Sequence, residues 1–357
     1  MSKLKAVDFY CGGGGMSLGM MQAGISVIAG IDNEIKCKRT YEYNIKGAQF
    51  IDEDVFDLKE EALAKRLQLK KNDNSLVLIG CSPCQYWSII NTDKKKSAKS
   101  KNLLIEFQRF AKFLNPGYIV VENVPGVLRK KEESGLQEFI DWLKKKNYKV
   151  HFDIHNVNDY GVPQNRKRFT LIANRNDSKE VEPLRDVTDK LVVSDVLGEQ
   201  NGFKKIKAGN KDDSDFQHST AGLSDLNLER LSYVEKNGGN RLGFSKISHL
   251  QLDCFKNKDN SFKDTFGRLW WNKPSPTITT KFFSVSNGRF VHPEENRALS
   301  LREGATLQSF PKTFKFKTNS TADTARIIGN AVPPEYAKRI GKAIVDLLAS
   351  KGINVAI

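Results

Sequence analysis

The chain has 357 residues, enough for two domains or for one large domain with an insert, and its 39% hydrophobic residues suffice for a sizeable core. No apolar run approaches the roughly 18 residues of a membrane span, and the start MSKLKAVDFYCGG has no apolar signal core, so a cytoplasmic protein with no membrane partner is expected. Lysine and arginine total 57 against 42 acidic residues, and this net charge of +15 favours a polyanion such as nucleic acid as partner without identifying it.

In chain order, AVDFY (6–10), VIAGID (27–32), LVLIG (76–80) and YIVVENV (118–124) are short apolar runs that end in polar or glycine residues. They are predicted to be buried strands. Between them MSLGMMQAG, KCKRTYEYN, EEALAKRLQLKK and NLLIEFQRFAKFL carry helical patterns. This alternation predicts an α/β fold with an open, mostly parallel sheet and helices on both faces. Ligands of such sheets gather at the carboxyl ends of the strands. Gly12 to Gly15, Asp32, Cys84 and Glu122 all fall there, and Asp54 follows a further strand in FIDEDVFDL.

From about 178 to 270 the sequence turns polar, which predicts a second, smaller, loop-rich domain. The stretch 274–293 regains β character, and YAKRIGKAIVDLLAS (336–350) is an amphipathic helix introduced by the turn GNAVPPE. The expected division is therefore 1–178 with 325–357 as one domain and 179–324 as the other.

DFYCGGGGMSLG (8–19) is a strand, a glycine run and a helix start. It is not the dinucleotide fingerprint, because Ser17 stands where the third glycine belongs. The run lets a ligand approach the backbone, and Asp32 stands where it can accept from ribose hydroxyls; a tight packing turn is the plainer alternative. GCSPCQYWS (80–88) holds Cys81 and Cys84. With no second such pair a zinc site is disfavoured. The five scattered cysteines suit reduced thiols, but spacing alone does not dismiss a redox pair. ENVPG (122–126) ends the next apolar run, which in a parallel sheet sets Glu122 near the cysteine loop. A thiol beside a carboxyl that carries a proton suits addition to an electron-poor ring. In PQNRKRFTLIA (163–173), Arg166 and Arg168 alternate, so on a strand both would share a face with Gln164.

The ordered set DFYCGGGGMSLG, CSPCQYWS, ENVPG, QNRKR and GNAVPP resembles the signature series of the DNA cytosine-5 methyltransferases across nearly the whole chain, the stretch 178–270 excepted. The resemblance implies a Rossmann-like methyltransferase sheet with a target-recognition domain, and S-adenosylmethionine as cofactor. Cys84 is then the nucleophile on cytosine carbon-6. Glu122 holds a proton at ring nitrogen-3, and Arg166 and Arg168 support the flipped base and the glutamate. Tyr10, Gly12, Gly14, Asp32, Asp54, Asn330 and Val332 line the cofactor site. Gln85, Ser88, Lys94, Lys95, Lys96 and Gln164 meet DNA, the lysines on phosphates, and Cys81 is a bystander.

The family pattern also implies double-stranded DNA as partner, a monomer, and either a cognate restriction endonuclease or an orphan role. Three departures stand out. Ser82 replaces a proline, Tyr86-Trp87 replaces Gly-Phe after Pro83-Cys84-Gln85, and Tyr10 replaces phenylalanine. The tRNA-directed sister group shares the catalytic motifs, but its Cys-Phe-Thr segment is not found. A nicotinamide-dependent oxidoreductase is disfavoured by the missing third glycine, and a non-enzymatic binder by the intact set of Cys84, Glu122, Arg166 and Arg168.

Overall fold

The computed structural model describes residues 4–82, 102–256, 258 and 260–350. Two compact units emerge. The first comprises Met1–Tyr160, Lys167–Asp186 and Val332–Ile357; the second comprises Gly161–Arg166 and Val187–Ala331. The borders thus fall at residues 187 and 332 rather than at 179 and 325, and a short piece at 161–166 joins the second unit.

The first unit is built on seven strands: β1 (Lys5–Phe9), β2 (Ser26–Asp32), β3 (Gln49–Asp52), β4 (Leu76–Gly80), β5 (Tyr118–Asn123), β6 (Lys149–Asn156) and β7 (Lys167–Asn174). They lie in the order β3-β2-β1-β4-β5-β7-β6. The pairings among β1 to β5 are parallel, while β7 runs antiparallel to both β5 and β6. Strands β4 and β5 are buried at every residue, as expected of near-continuous apolar runs covered on both faces. The sheet is therefore the α/β sheet that the apolar runs predict. Strand β6 gives no such signal, because KVHFDIHN interleaves charged and apolar residues at a sheet edge.

Helices α1 (Gly15–Gln22), α2 (Lys38–Asn44), α3 (Glu60–Arg66), α4 (Leu103–Leu114), α5 (Gly126–Arg129) and α6 (Leu136–Lys145) connect these strands. Helix α4 buries Leu104, Phe107, Phe110, Ala111 and Leu114, a stripe at helical spacing that faces the sheet. The Phe107 ring lies 5.5 Å from that of Phe9. It also closes on the end of β4, where a Cβ at Gly80 would fall 2.7 Å from it.

In the second unit the described residues form four helices, α7 (Val193–Val196), α8 (Asp225–Ser232), α9 (Leu301–Leu307) and α10 (Thr321–Asn330), together with short helical turns. The expectation of β structure over 274–293 is corrected: only isolated bridges, Gln164 to Ser275, Arg268 to Val291 and Val291 to Ala298, occur there. Pro274, Pro276 and Pro293 lack the amide a ladder needs.

Carbonyls with no sheet partners are met instead by buried guanidinium groups. Arg268, wholly buried, donates to the carbonyls of Leu231 (2.9 Å), Val234 (3.2 Å), His292 (3.0 Å) and Glu295 (2.8 Å), and to the side chain of Asn296. Arg302 does the same for Phe216, Asp215 and Phe314. Burial lowers the pKa of each to about 10, so both remain cations near neutrality. Burial raises the acid of Glu303, but the paired Arg297 at 2.7 Å outweighs it and holds the carboxyl down at about 2.

The chain then returns to the first unit as α11 (Pro334–Ala349), which packs on α1. A Cβ at Gly19 of α1 would sit 2.4 Å from the Cβ of Ala337, so this contact requires glycine. No helix among the described residues is long and apolar enough to cross a membrane.

The arginine scaffold of the second unit yields a stability prediction. Arg268→Met keeps the aliphatic stem but strands the acceptors that the guanidinium serves. It should destabilise the protein by about 3 kcal/mol or more, read as a fall in denaturation midpoint. A midpoint unchanged from the parent would show that water replaces the guanidinium at no cost.

Candidate active site

In the first unit the ends of β1, β2 and β3 form one cluster. The chain leaves β1 through Tyr10 at φ 61°, an uncommon left-handed setting for a side-chain-bearing residue, and through Gly12 at φ 51°. Gly14, at φ 95°, ends the turn, and α1 begins at Gly15 with no side-chain cap from Gly14. A Cβ at Gly12 would meet nothing within 4 Å, whereas one at Gly14 would strike Ile45 at 2.8 Å. The turn is thus open on one side and packed on the other. Tyr10 is fixed by its hydroxyl, which donates to the carbonyl of Leu103 at 2.5 Å.

Asp32 closes β2. Its Oδ2 accepts from the amide of Gly12 at 2.8 Å and its Oδ1 from the amide of Glu34 at 2.8 Å. Burial raises its pKa, opposed by those two amides. Asp54, beyond β3, accepts from the Phe56 amide and from the side chain of Asn33, each at 3.2 Å. A carboxylate offers about four lone-pair sites, so Asp32, holding one donor on each oxygen, keeps capacity for two hydroxyls.

The second cluster lies where β4 and β5 end. Gly80 pairs with Val121, so Glu122 stands level with Cys81. The Cys81 amide donates to the carbonyl of Phe9 at 3.2 Å, and the Asn123 side chain donates to the buried Ser82 hydroxyl at 3.1 Å. Glu122 has a 7% exposed side chain, and its Oε1 lies 3.0 Å from Nε of Arg168, which is 13% exposed. That contact is an ion pair between two enclosed side chains.

The antiparallel setting of β7 makes the pair possible. Glu122 is opposite Thr170, so Arg168, at the start of β7, lies beside the carboxyl end of β5. A residue two places along an adjacent strand shares the same face and is within reach of a long side chain.

Arg166 departs from expectation. Strand β7 begins at Lys167, and the Asn165 amide donates to Ser275 at 2.8 Å, which draws this segment into the second unit. The two arginines therefore do not share a strand face. The guanidinium of Arg166 donates to the carbonyls of Ile278 (2.9 Å), Gly329 (3.1 Å) and Ala331 (3.2 Å).

Gln164 is fully buried. Its amide donates to Gln308 (2.7 Å) and Leu307 (3.2 Å) and accepts from the Ile278 amide (2.7 Å). A side chain so engaged has no donor left for a base edge. Asn330 is exposed at the end of α10 in the second unit, and Val332 is buried in the first. Cys84, Gln85, Ser88, Lys94, Lys95 and Lys96 lie outside the described residues.

Three polar contacts are not foreseen from the sequence: Ser82 with Asn123, Thr170 with Tyr336 at 2.6 Å, and Asp8 with Ser17 at 2.6 Å. Only the last leaves a signal, an acid inside the otherwise apolar run AVDFY. Among the described residues no group of three or more His, Cys, Asp or Glu side chains is arranged to hold a metal.

A mixed seven-stranded sheet, with a glycine turn after its first strand and acids after its second and third, defines an α/β methyltransferase-type fold. Known shapes agree. A solved structure described as a DNA modification methyltransferase encoded within an E. coli prophage superposes with a TM-score of 0.73 at 22% identity, covering 97% of this chain and 100% of that one. The profile of the C-5 cytosine-specific DNA methylases matches residues 4–346. The type II methylase M.HgiDII of Herpetosiphon aurantiacus is 34% identical over 96% of this chain and 95% of its own length. The type II methyltransferase M1.HphI of Haemophilus parahaemolyticus is 30% identical over 96% and 87%. The chain belongs to the C-5 cytosine-specific DNA methylase family, and is a DNA (cytosine-5-)-methyltransferase similar to those of type II restriction–modification systems.

The Glu122–Arg168 pair lends itself to a double-mutant cycle. Arg168→Met leaves a carboxylate enclosed without its cation and should cost about 3 kcal/mol of stability, more than Glu122→Gln does. The double variant should regain much of that loss. Additive single effects in denaturant melts would show the two groups to be uncoupled.

Proposed function

We propose that this enzyme transfers a methyl group from S-adenosylmethionine to carbon-5 of a cytosine flipped out of duplex DNA, through a covalent bond to Cys84. The observation that supports this best is the Glu122–Arg168 pair, with Glu122 on the strand beside the one that leads into Pro83-Cys84-Gln85 and Arg168 on the strand beyond it.

The cofactor fits the residues present. Gly12 faces open space, and Asp32 keeps lone pairs for the two ribose hydroxyls. Asp54 is the acceptor for the adenine amino group, Tyr10 offers an aromatic face, and Gly14, Asn330 and Val332 complete the set by family pattern. When bound, S-adenosylmethionine supplies an electrophilic methyl group.

Cys84, as thiolate, adds to carbon-6 of the ring. A free thiol with pKa near 8.5 is mostly protonated at neutral pH, so the cationic neighbourhood aids this step. Glu122 holds the proton at nitrogen-3 while charge builds on the ring, and Arg168 fixes that carboxyl. Once carbon-5 is methylated a base removes its proton, and the electrons returning to the ring expel the thiolate of Cys84. Taking the base out of the stack costs a few kcal/mol. By the family pattern Arg166 supports the flipped base and the glutamate with Arg168, while Gln164, engaged by Gln308, Leu307 and Ile278, acts as a brace rather than a DNA contact. The loop with Gln85, Ser88, Lys94, Lys95 and Lys96 contacts the duplex, and residues 187–331 read the target sequence.

Tritium transfer from labelled S-adenosylmethionine to duplex DNA, with tRNA as the control substrate, tests the reading. Cys84→Ser should abolish transfer and Cys81→Ser should leave most of it. A duplex carrying 5-fluorocytosine should be trapped on Cys84, because fluorine cannot be eliminated. An adduct found by mass spectrometry on Cys81, or transfer to tRNA alone, would overturn the assignment. Asp32→Ala should weaken cofactor binding by about 1.5–3 kcal/mol in calorimetry.

A separate prediction concerns the lysines. Alanine at Lys94, Lys95 and Lys96 should weaken DNA binding at all sequences alike and lower the slope of log affinity against log salt by about 0.9 for each phosphate that is no longer neutralised. An unchanged salt slope would move the phosphate-binding surface elsewhere.

A further inference from the structure

Asp8 lies in β1, next to the strand's last residue, and none of its surface reaches solvent. Ser17, the third residue of α1, donates its hydroxyl to Oδ2 of Asp8 at 2.6 Å. The hydroxyl of Tyr41, from α2, completes the chain at 3.0 Å from the same Ser17 oxygen. Oδ1 of Asp8 is buried with no hydrogen-bond partner.

The opening turn of α1 explains why an acid is needed here. A helix exposes amides in its first turn that a side-chain oxygen ordinarily satisfies. Gly14 occupies the capping position and has no side chain to offer. Asp8 reaches across from the strand to the first turn instead, accepting the hydroxyl of Ser17. One side chain thereby ties β1, α1 and α2 together directly beneath the turn that presents Gly12 to Asp32.

We propose that Asp8 is a positioning residue of the cofactor site, fixing the glycine turn by anchoring the first turn of α1 through the Ser17 hydroxyl. This rests on the reading of that turn as the place of S-adenosylmethionine. The acid acts in its neutral form, for a geometric reason. The titratable groups that face it are Asp32 on β2, Cys11 on the glycine turn and Tyr41 on α2, and none of the three carries positive charge. Ionisation would place charge on an oxygen with no partner, opposite Asp32. Burial accordingly pushes the acid up to about 7, against the Ser17 hydroxyl, which lowers it.

Two consequences follow in sign. Unfolded, the acid loses its proton near 3.8, so its contribution to stability is full below that pH and is lost as pH rises through about 7. Cofactor affinity should likewise fall as pH rises through about 7, because the ionised acid loosens the turn.

The test uses the full chain and calorimetric titration with S-adenosylmethionine from pH ~6 to ~8.5, together with melting curves. The parent should lose about tenfold in affinity per pH unit above the transition at most. Asp8→Asn, a permanently neutral isostere, should match the parent near pH ~6 and abolish both pH dependences. Asp8→Ala and Ser17→Ala, which remove the anchoring hydrogen bond, should bind about fivefold more weakly at every pH, with KM for the cofactor raised and kcat kept. An Asp8→Asn protein that retains the parent's alkaline loss overturns the proposal. So do alanine variants that melt lower but bind the cofactor as the parent does, since the role is then structural only. A parent that binds no S-adenosylmethionine at any pH refutes the cofactor reading itself; the melting curves of Asp8→Asn then still decide whether the acid anchors α1 in neutral form.

Discussion

A backbone carbonyl taken out of water must find a donor, and the two units of this enzyme meet that demand in different ways. In the first unit the ladders of the sheet supply the donors, so its strands can be fully apolar. In the second, where the described residues form only isolated bridges, buried arginines supply them. A planar guanidinium with five donors can serve several carbonyls that converge from different loops. Arg268 gathers four of them, and Arg166 binds three more at Ile278, Gly329 and Ala331. A loop-rich unit can thus be as well satisfied as a sheet, provided that its sequence holds arginines at the convergence points.

The direction of the strands locates the chemistry of the first unit. Parallel strands deliver the glycine turn, Asp32 and the cysteine loop to one edge of the sheet, because they all end on the same side. A parallel β7 would begin at the opposite edge, leaving Glu122 with no cation from that strand. Running antiparallel, β7 brings its second residue, Arg168, to Glu122. A carboxylate enclosed at 7% exposure needs such a partner to keep its charge, or a proton to lose it.

What is legible in the sequence follows from which signals are local. The apolar runs of β1, β2, β4 and β5 are local, and so are the glycine turn and the amphipathic α11; all appear where expected. The face of Arg166 is not local. Its alternation with Arg168 reads as one strand, but the Ser275 backbone, more than a hundred residues on, pairs with Asn165 and stops β7 from starting sooner. The stretch 274–293 misleads for a related reason. Its threonines, isoleucine and phenylalanines have β propensity, yet three prolines remove ladder donors and side chains take up its backbone groups. Strand β6 and the Asp8–Ser17 contact are hidden because each depends on a partner that only the fold brings near.

The charge of the chain must be divided before it is used as an argument about DNA. Seven arginines, at 166, 230, 241, 268, 289, 297 and 302, are buried in the second unit. They contribute to the net +15 and hence to the long-range field that attracts a polyanion. They are buried, and their guanidinium groups donate to backbone carbonyls, to Asn227 and Asn296, and to Asp264, Glu295 and Glu303 rather than to a phosphate. Only cations that meet phosphates release counterions, so the salt dependence of DNA binding counts exposed cations and not the total. Arginine and lysine therefore divide the work by chemistry. The forked, weakly hydrated cation goes inside to organise loops, and the compact, strongly hydrated one stays outside, as at the exposed Lys205, Lys256 and Lys281. A basic composition here reports both how a unit without a sheet holds itself together and what the protein binds.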